Sequence, residues 1–393
     1  MPELDVKKIP NTLPFDVGEF ERRQSKAREL LVKAGADALL VVNAENIYYL
    51  TGYRTIGLGN YANLIFSQDQ PPILILRFLE QKLAEYYSCV QHVVTWDDTD
   101  DPLQLTRDTL QTAKLLGRRL AIERDSAFLT VRTYEKLVAA LGNPQLIDGS
   151  SLIGSLRLIK SPAEVDLMRR AAAITSKGIQ AAVEATKAGA TENDVAAAAF
   201  ATMVKGGSDY MATDPIVTSG FRAGIPHTSF GNRVLERDDT VLMEFGANVR
   251  RYFGPLMRTA FIGKPSAEVE RMATVTIESL NAAIAAVKPG VTSGEVDAAC
   301  REVITRAGYY EYFRKRTGYS VGSGFPPTWS EAGLFDLKKD DPRPLQAGMV
   351  FHIPPALRKY GELAVGFSET LLVTEKGCEI LTDFPRTLAL CPD

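Results

Sequence analysis

The chain has 393 residues, with 45 lysines and arginines against 48 aspartates and glutamates and a formal net charge of −3. A length beyond what one hydrophobic core supports predicts two domains, and the near balance of charge excludes an electrostatic nucleic-acid or anionic-membrane binder, leaving a small molecule as the expected partner. The four cysteines, Cys89, Cys300, Cys378 and Cys391, include no Cys-x-x-Cys pair, so neither a disulfide framework nor a zinc or redox pair of thiols is expected.

Met1 to Pro14 alternates charge and proline without an apolar core. No run of about eighteen uncharged apolar residues follows anywhere, so the reading is a soluble, cytoplasmic protein with neither signal peptide nor membrane anchor. From Phe20 to about Pro144, helical and strand patterns alternate. An amphipathic stretch from Phe20 to Ala34 precedes apolar Ala38 to Val42, and Ile73 to Arg77, Val90 to Thr95 and Arg119 to Glu123 follow, separated by helical segments. That order predicts an α/β layer domain with a mixed or parallel sheet. Asn143-Pro144 and Asp148-Gly149-Ser150 then break the pattern. Ser161-Pro162-Ala163-Glu164 opens a long helix, with Ser161 as N-cap, Pro162 at the first helical position and Glu164 completing a capping box. A domain boundary belongs near 150, which divides the chain into residues 1–155 and 156–393.

The second part carries a faint repeat. Lys187-Ala188-Gly189-Ala190-Thr191-Glu192-Asn193-Asp194-Val195 recurs as Lys288-Pro289-Gly290-Val291-Thr292-Ser293-Gly294-Glu295-Val296. In each copy a long helix ends at the glycine, a threonine caps the next helix and an acid stands three residues on. One reading is a common helix-turn-helix connector. The other is two helix pairs related by a pseudo-twofold axis, flanking curved strands and a ligand cleft.

At this point the residues resemble the pita-bread family of methionine aminopeptidase, prolidase and creatinase. The likeness rests on Arg157 to Glu164, Val241 to Ala247, Tyr252 to Thr259, Gly348 to Phe351 and Thr370 to Thr374, in that order. It covers nearly the whole chain and implies an α+β protein that assembles as a homodimer: an N-terminal α/β creatinase-like domain followed by a pita-bread domain with pseudo-twofold helix pairs flanking a curved antiparallel sheet. Metal-binding members hold their ligands at positions that here read Glu244, Pro255, Tyr319, Pro354 and Ser368. One carboxylate among them cannot assemble a divalent centre, so the resemblance points to the metal-free branch, with no metal and no cofactor expected. Within that branch the closest likeness is to ectoine hydrolase, at Glu244 to Ala247, Tyr252, Pro326-Pro327-x-Trp329-x-Glu331, Phe351-His352, Glu369 and Thr382 to Arg386.

That likeness implies a metal-independent hydrolase that opens a cyclic amidine such as ectoine through a glutamyl intermediate, with Glu244 as nucleophile and His227 as the proton-transferring imidazole. A creatinase-like acyclic substrate and a non-catalytic peptide-binding cleft are the alternatives. Glu244 lies in an apolar run and needs a compensating charge, supplied either by a cationic substrate or by a salt bridge to Arg258 or Arg251. Tyr319 reaches the cleft or merely fills the space of absent metals. His352 faces the cleft or a satisfied core. Phe325 and Trp329 suit an aromatic wall over a planar cation. Glu331 and Glu369 orient that cation or pair with Arg258, and Arg258, Tyr252 and Tyr53 complete the expected substrate contacts.

Overall fold

The computed structural model describes residues 13–331 and 333–393, so the expectation for Met1 to Pro14 falls almost wholly outside the described residues. The chain divides into two compact units, Met1–Arg157 and Leu158–Asp393.

In the first unit, strands β1 (Ala38–Val41), β2 (Asn63–Ser67), β3 (Ile73–Arg77), β4 (His92–Trp96), β5 (Leu120–Ile122) and β6 (Ile147–Asp148) form one sheet in the order β4-β3-β2-β1-β5-β6. β2 runs antiparallel to both of its neighbours while the remaining pairs are parallel, which makes the sheet mixed. Helices α1 (Val17–Lys33), α2 (Ala44–Thr51), α3 (Gln81–Tyr87), α4 (Pro102–Thr112), α5 (Val131–Ala140) and α6 (Ser150–Arg157) connect the strands. β1 reads as an unbroken apolar run because both its faces are covered. Leu39 and Val41 pack with Ala27 and Leu31 of α1, whereas Ala38 and Leu40 pack with Leu110 of α4 and Leu137 of α5. β2 was absent from the sequence expectation, since a five-residue buried run carries no periodicity of its own.

The second unit holds α7 (Pro162–Ala185), α8 (Glu192–Lys205), α9 (Ala267–Ala286) and α10 (Ser293–Arg306). Its strands are β7 (Ile216–Ser219), β8 (Thr240–Phe245), β9 (Asn248–Val249), β10 (Tyr252–Phe253), β11 (Leu256–Ile262), β12 (Gly318–Phe325), β13 (Thr328–Ser330), β14 (Asp336–Leu337), β15 (Val350–Ile353), β16 (Ala356–Lys359), β17 (Leu363–Gly366), β18 (Glu369–Val373), β19 (Cys378–Ile380) and β20 (Ala389–Cys391). One sheet runs β20-β11-β8-β7, another runs β19-β18-β15-β12-β10-β9 with β13 and β14 also on β12, and β16-β17 is a hairpin.

The expected capping box at Ser161 and Glu164 forms. Those at Thr191 with Asp194 and at Thr292 with Glu295 form as well, each worth about 1 kcal/mol. The repeat is structural: Gly189 and Gly290 take φ of +84° and +86°, a turn that favours glycine. Their amides donate to Leu235 and Leu345 carbonyls, both at 2.9 Å. The preceding helices stop earlier than expected, at Ala185 and Ala286. No helix among the described residues is long and apolar enough to cross a membrane.

Strand alternation then decides which side chains face where. Val241, Met243 and Phe245 of β8 pack with Ile179 of α7 and Met203 of α8, so Leu242 and Glu244 project from the other face. On β11, Met257 stands opposite Glu244 and Arg258 opposite Met243. Neighbouring strands therefore send Glu244 and Arg258 to opposite sides of one sheet.

Candidate active site

On the Glu244 face lies an open cleft of about 640 Å³, within the size range of small-molecule sites. Ile216 and Glu244 reach it from β7 and β8, Tyr319 from β12, Trp329 from β13, and Ala356 and Arg358 from β16. His227 lines its mouth, exposed, with φ of +60°, a left-handed conformation that histidine adopts more readily than bulkier residues. The loop carrying it is pinned to the β16-β17 hairpin. A Cβ on Gly224 would meet the Lys359 carbonyl at 2.3 Å, and Arg358 Nη1 donates to the Ala223 carbonyl at 2.6 Å.

Glu244 is half-buried, and no hydrogen bond or ion pair to its carboxylate occurs among the described residues. The alternative of a salt bridge to Arg258 or Arg251 does not form. Arg258 lies across the sheet, and Arg251 donates to the Gly324 carbonyl at 2.8 and 3.0 Å while its guanidinium stacks on Tyr210, 3.9 Å from the ring centroid. Facing Glu244 from the cleft wall are cations that sequence reasoning passed over. Arg314, Lys315, Arg316 and Arg358 all line it, and Glu244 is the one acidic side chain among the described lining residues. Arg314 pairs with Glu311 at 2.7 Å and Arg316 with Asp336 at 3.2 Å. Among the described residues, Lys315 and Arg358 have no acidic partner within ion-pair distance. Lys315 still reaches water along the open wall, yet the surrounding protein displaces enough of it to pull the amine down to about 8, with Glu244 acting in the opposite direction. Burial lowers Arg358 too, again opposed by Glu244. The basic run Arg314-Lys315-Arg316, directly before Thr317-Gly318-Tyr319, was the available signal.

Behind the cleft wall a hydrogen-bonded chain occupies two of the five positions at which metal-binding members hold ligands. Trp329 Nε1 donates to the Tyr319 hydroxyl at 3.0 Å, and that hydroxyl lies 2.9 Å from His352 Nδ1. His352 Nε2 is 2.7 Å from Ser368 Oγ, which also accepts the Met257 amide at 2.6 Å. His352 is fully buried beside Tyr319, its cross-strand neighbour, so both sequence alternatives hold in part: a satisfied core histidine, joined to the cleft through a phenol. Burial first, then the charges of Lys315 and Arg258, hold it well below the ordinary imidazole value, and it is neutral.

The other expected contacts are not among the residues lining the cleft. Arg258 and Glu369 form a buried pair at 2.7 Å, with Thr382 donating to the second carboxylate oxygen. Burial pushes Arg258 down and Glu369 up, each offset by its partner. Glu331 pairs with buried Lys160 at 2.7 Å, the Tyr252 hydroxyl donates to Glu164 at 2.8 Å, and Phe325 packs beneath the Arg251 guanidinium, 5.1 Å from centroid to cation. Tyr53 belongs to the first unit, where its hydroxyl donates to Glu80 at 3.1 Å.

Comparison with known proteins bears on both units. Residues 166–375 match the model of metallopeptidase family M24, and residues 23–159 match the creatinase/prolidase N-terminal domain. The chain belongs to family M24. A Staphylococcus aureus relative described as an uncharacterized peptidase is 30% identical over 362 residues, covering 92% of this chain and 99% of the relative. Among solved structures, dipeptidase PepE from Mycobacterium ulcerans is 28% identical with a TM-score of 0.83, covering 96% of this chain and 100% of that one. Recombinant prolidase from Thermococcus sibiricus is 27% identical with a TM-score of 0.85, covering 94% and 99%.

These M24 relatives overturn the expectation of ring opening in a cyclic amidine such as ectoine, together with its guanidino alternative. They are named for peptide hydrolysis, and the cleft gives a physical reason: with Arg314 and Arg316 paired to Glu311 and Asp336, Lys315 and Arg358 remain as two uncompensated cations against the one Glu244 carboxylate, which disfavours an amidinium. The M24 name also implies a metal centre, which the donor set does not fit. Glu244, Pro255, Tyr319, Pro354 and Ser368 supply one carboxylate, two prolines without donors and two hydroxyls already engaged with His352. Among the described residues no three His, Cys, Asp or Glu side chains converge as a metal site.

Proposed function

We propose that this M24 hydrolase cleaves the amide bond of short peptides bearing a free carboxylate, Xaa-Pro dipeptides among them, with cleft side chains in place of a dinuclear metal centre. The observation that carries this reading is a charge arrangement: Glu244 shares one cavity with Lys315 and Arg358, and among the described residues the carboxylate has no hydrogen-bond or ion-pair partner and the two cations no acidic one. Partly desolvated cations left unpaired by the fold suit an anionic ligand, and a peptide's terminal carboxylate is such a group. Lys315 and Arg358 hold the carboxylate. Glu244 takes a proton from water, whose oxygen attacks the carbonyl carbon, and His227 at the mouth gives a proton to the leaving nitrogen as the C–N bond breaks.

The test is release of free amino acids from a dipeptide panel by purified protein, before and after exhaustive chelation, with elemental analysis of the same samples. Turnover that survives chelation is expected. Turnover that returns only with an added divalent ion overturns the metal-free part, and a panel left intact overturns the substrate class.

A further inference from the structure

The chain Trp329–Tyr319–His352–Ser368 can be solved for its hydrogens. A neutral imidazole carries one N–H. If it sits on Nε2, Ser368 Oγ accepts from both His352 and the Met257 amide, and the serine's own hydrogen has no acceptor among the described residues. Ser368 and His352 are both fully buried, so that orphaned donor costs about 1–3 kcal/mol. If the proton sits on Nδ1, the Ser368 hydroxyl donates to Nε2 and Nδ1–H donates to the Tyr319 oxygen. Every buried hydrogen then has an acceptor. The Tyr319 oxygen, already receiving the Trp329 indole N–H, now accepts two bonds, and its own hydrogen is left for the cleft that Tyr319 lines.

We infer that the Tyr319 hydroxyl is a preset hydrogen-bond donor to the carbonyl oxygen of the substrate, held in that sense by His352 and Ser368 as positioning residues. The inference rests on the peptidase reading of the same cleft and names the group that stabilises the oxyanion there. As water adds to the carbonyl carbon, negative charge gathers on the carbonyl oxygen, and a donor already aimed needs no reorganisation to meet it. Tyr319 lends the hydrogen bond without giving up its proton, because burial and then the charge of Glu244 push its ionisation well above the ordinary phenol value. A phenol thus stands, at one of the five positions where metal-binding members of the family hold ligands, as the group that polarises the carbonyl.

The chain has three histidines, which makes imidazole nitrogen NMR on the ¹⁵N-labelled protein a direct test. His352 is expected to be protonated at Nδ1 in the unliganded protein, and Ser368→Ala is expected to shift it toward the Nε2–H form and lower kcat. Tyr319→Phe is expected to lower kcat about 100-fold with KM little changed, as for loss of one oxyanion donor. An Nε2–H tautomer in the wild type overturns the inference, as does a Tyr319→Phe protein that keeps wild-type kcat. Should Tyr319→Phe not fold, the wild-type tautomer decides. A wild type that cleaves no peptide sinks the peptidase reading instead, and the tautomer still decides whether Tyr319 donates into the cleft.

Discussion

Glu244 and Arg258 stand one residue out of register on hydrogen-bonded strands, yet their surroundings differ in kind. On the helix-facing side, Arg258 is buried with Glu369 and donates as well to the carbonyls of Met257, Ser368, Phe384 and Pro385. On the other side, Glu244 has no donor among the described residues and looks across a cavity at Lys315 and Arg358. A charge that serves the fold is saturated by the fold. Charges left unsaturated in a cleft are available to a ligand, and the two classes should respond to mutation through different measurements.

The largest effect on turnover is expected at Glu244. Glu244→Gln keeps the shape and removes the proton acceptor, so kcat on a cleaved dipeptide should fall about 10²–10⁴-fold. Because no hydrogen bond among the described residues uses this carboxylate, the thermal midpoint should hold or rise. A variant that unfolds at markedly lower temperature would move Glu244 into the class of Arg258 and erase the contrast.

Arg258→Met is the converse experiment. It leaves Glu369 buried without its principal partner, and Arg386, at 3.4 Å, is a poorer one. The expected cost is about 3–5 kcal/mol, read as a lower denaturant midpoint at unchanged slope. Replacing Glu369 with Gln as well should recover part of that loss, because the uncompensated charge goes with it. If Arg258→Met unfolds like the wild type but loses substrate binding, the pair is functional and the division between the two faces fails.

How much of this was legible in the sequence follows from the range of each interaction. Ser161, Thr191 and Thr292 announced their helices because a capping box lies within four residues. The five metal-ligand positions could be located by motif order, and the poverty of their donors could be read from residue types alone. Arg258 with Glu369 and Lys160 with Glu331 join residues more than a hundred apart, so nothing local separated them from substrate contacts. The Phe325 ring looked like a cleft wall until it was found beneath Arg251. The substrate is obscured in the sequence for another reason: Pro326-Pro327-x-Trp329-x-Glu331 resembles a site for a cation, whereas the basic triplet Arg314-Lys315-Arg316 carries charge that argues against a cationic ligand.

The smallest effect, and the finest probe of the open side, belongs to Lys315. Its amine is charged below about 8 and loses the charge above it, so KM for a dipeptide should rise as pH passes from neutral to 9. Lys315→Met should have the higher KM below about pH 8, by about tenfold or 1.4 kcal/mol, a low figure for a charge-assisted contact because the residue remains partly solvated, and the gap should close as the wild-type amine loses its charge. Lys315→Arg should flatten the pH dependence while keeping the lower KM. The linkage to stability runs the other way. The unfolded chain holds this proton up to the ordinary lysine value while the folded chain releases it near 8, so the penalty on folding is complete below about 8 and fades as pH rises. A rise in KM between pH 7 and 9 that is accompanied by a steady or higher thermal midpoint therefore reports the loss of a ligand contact at Lys315 and not unfolding. The same rise in Lys315→Arg would assign the titration to another group.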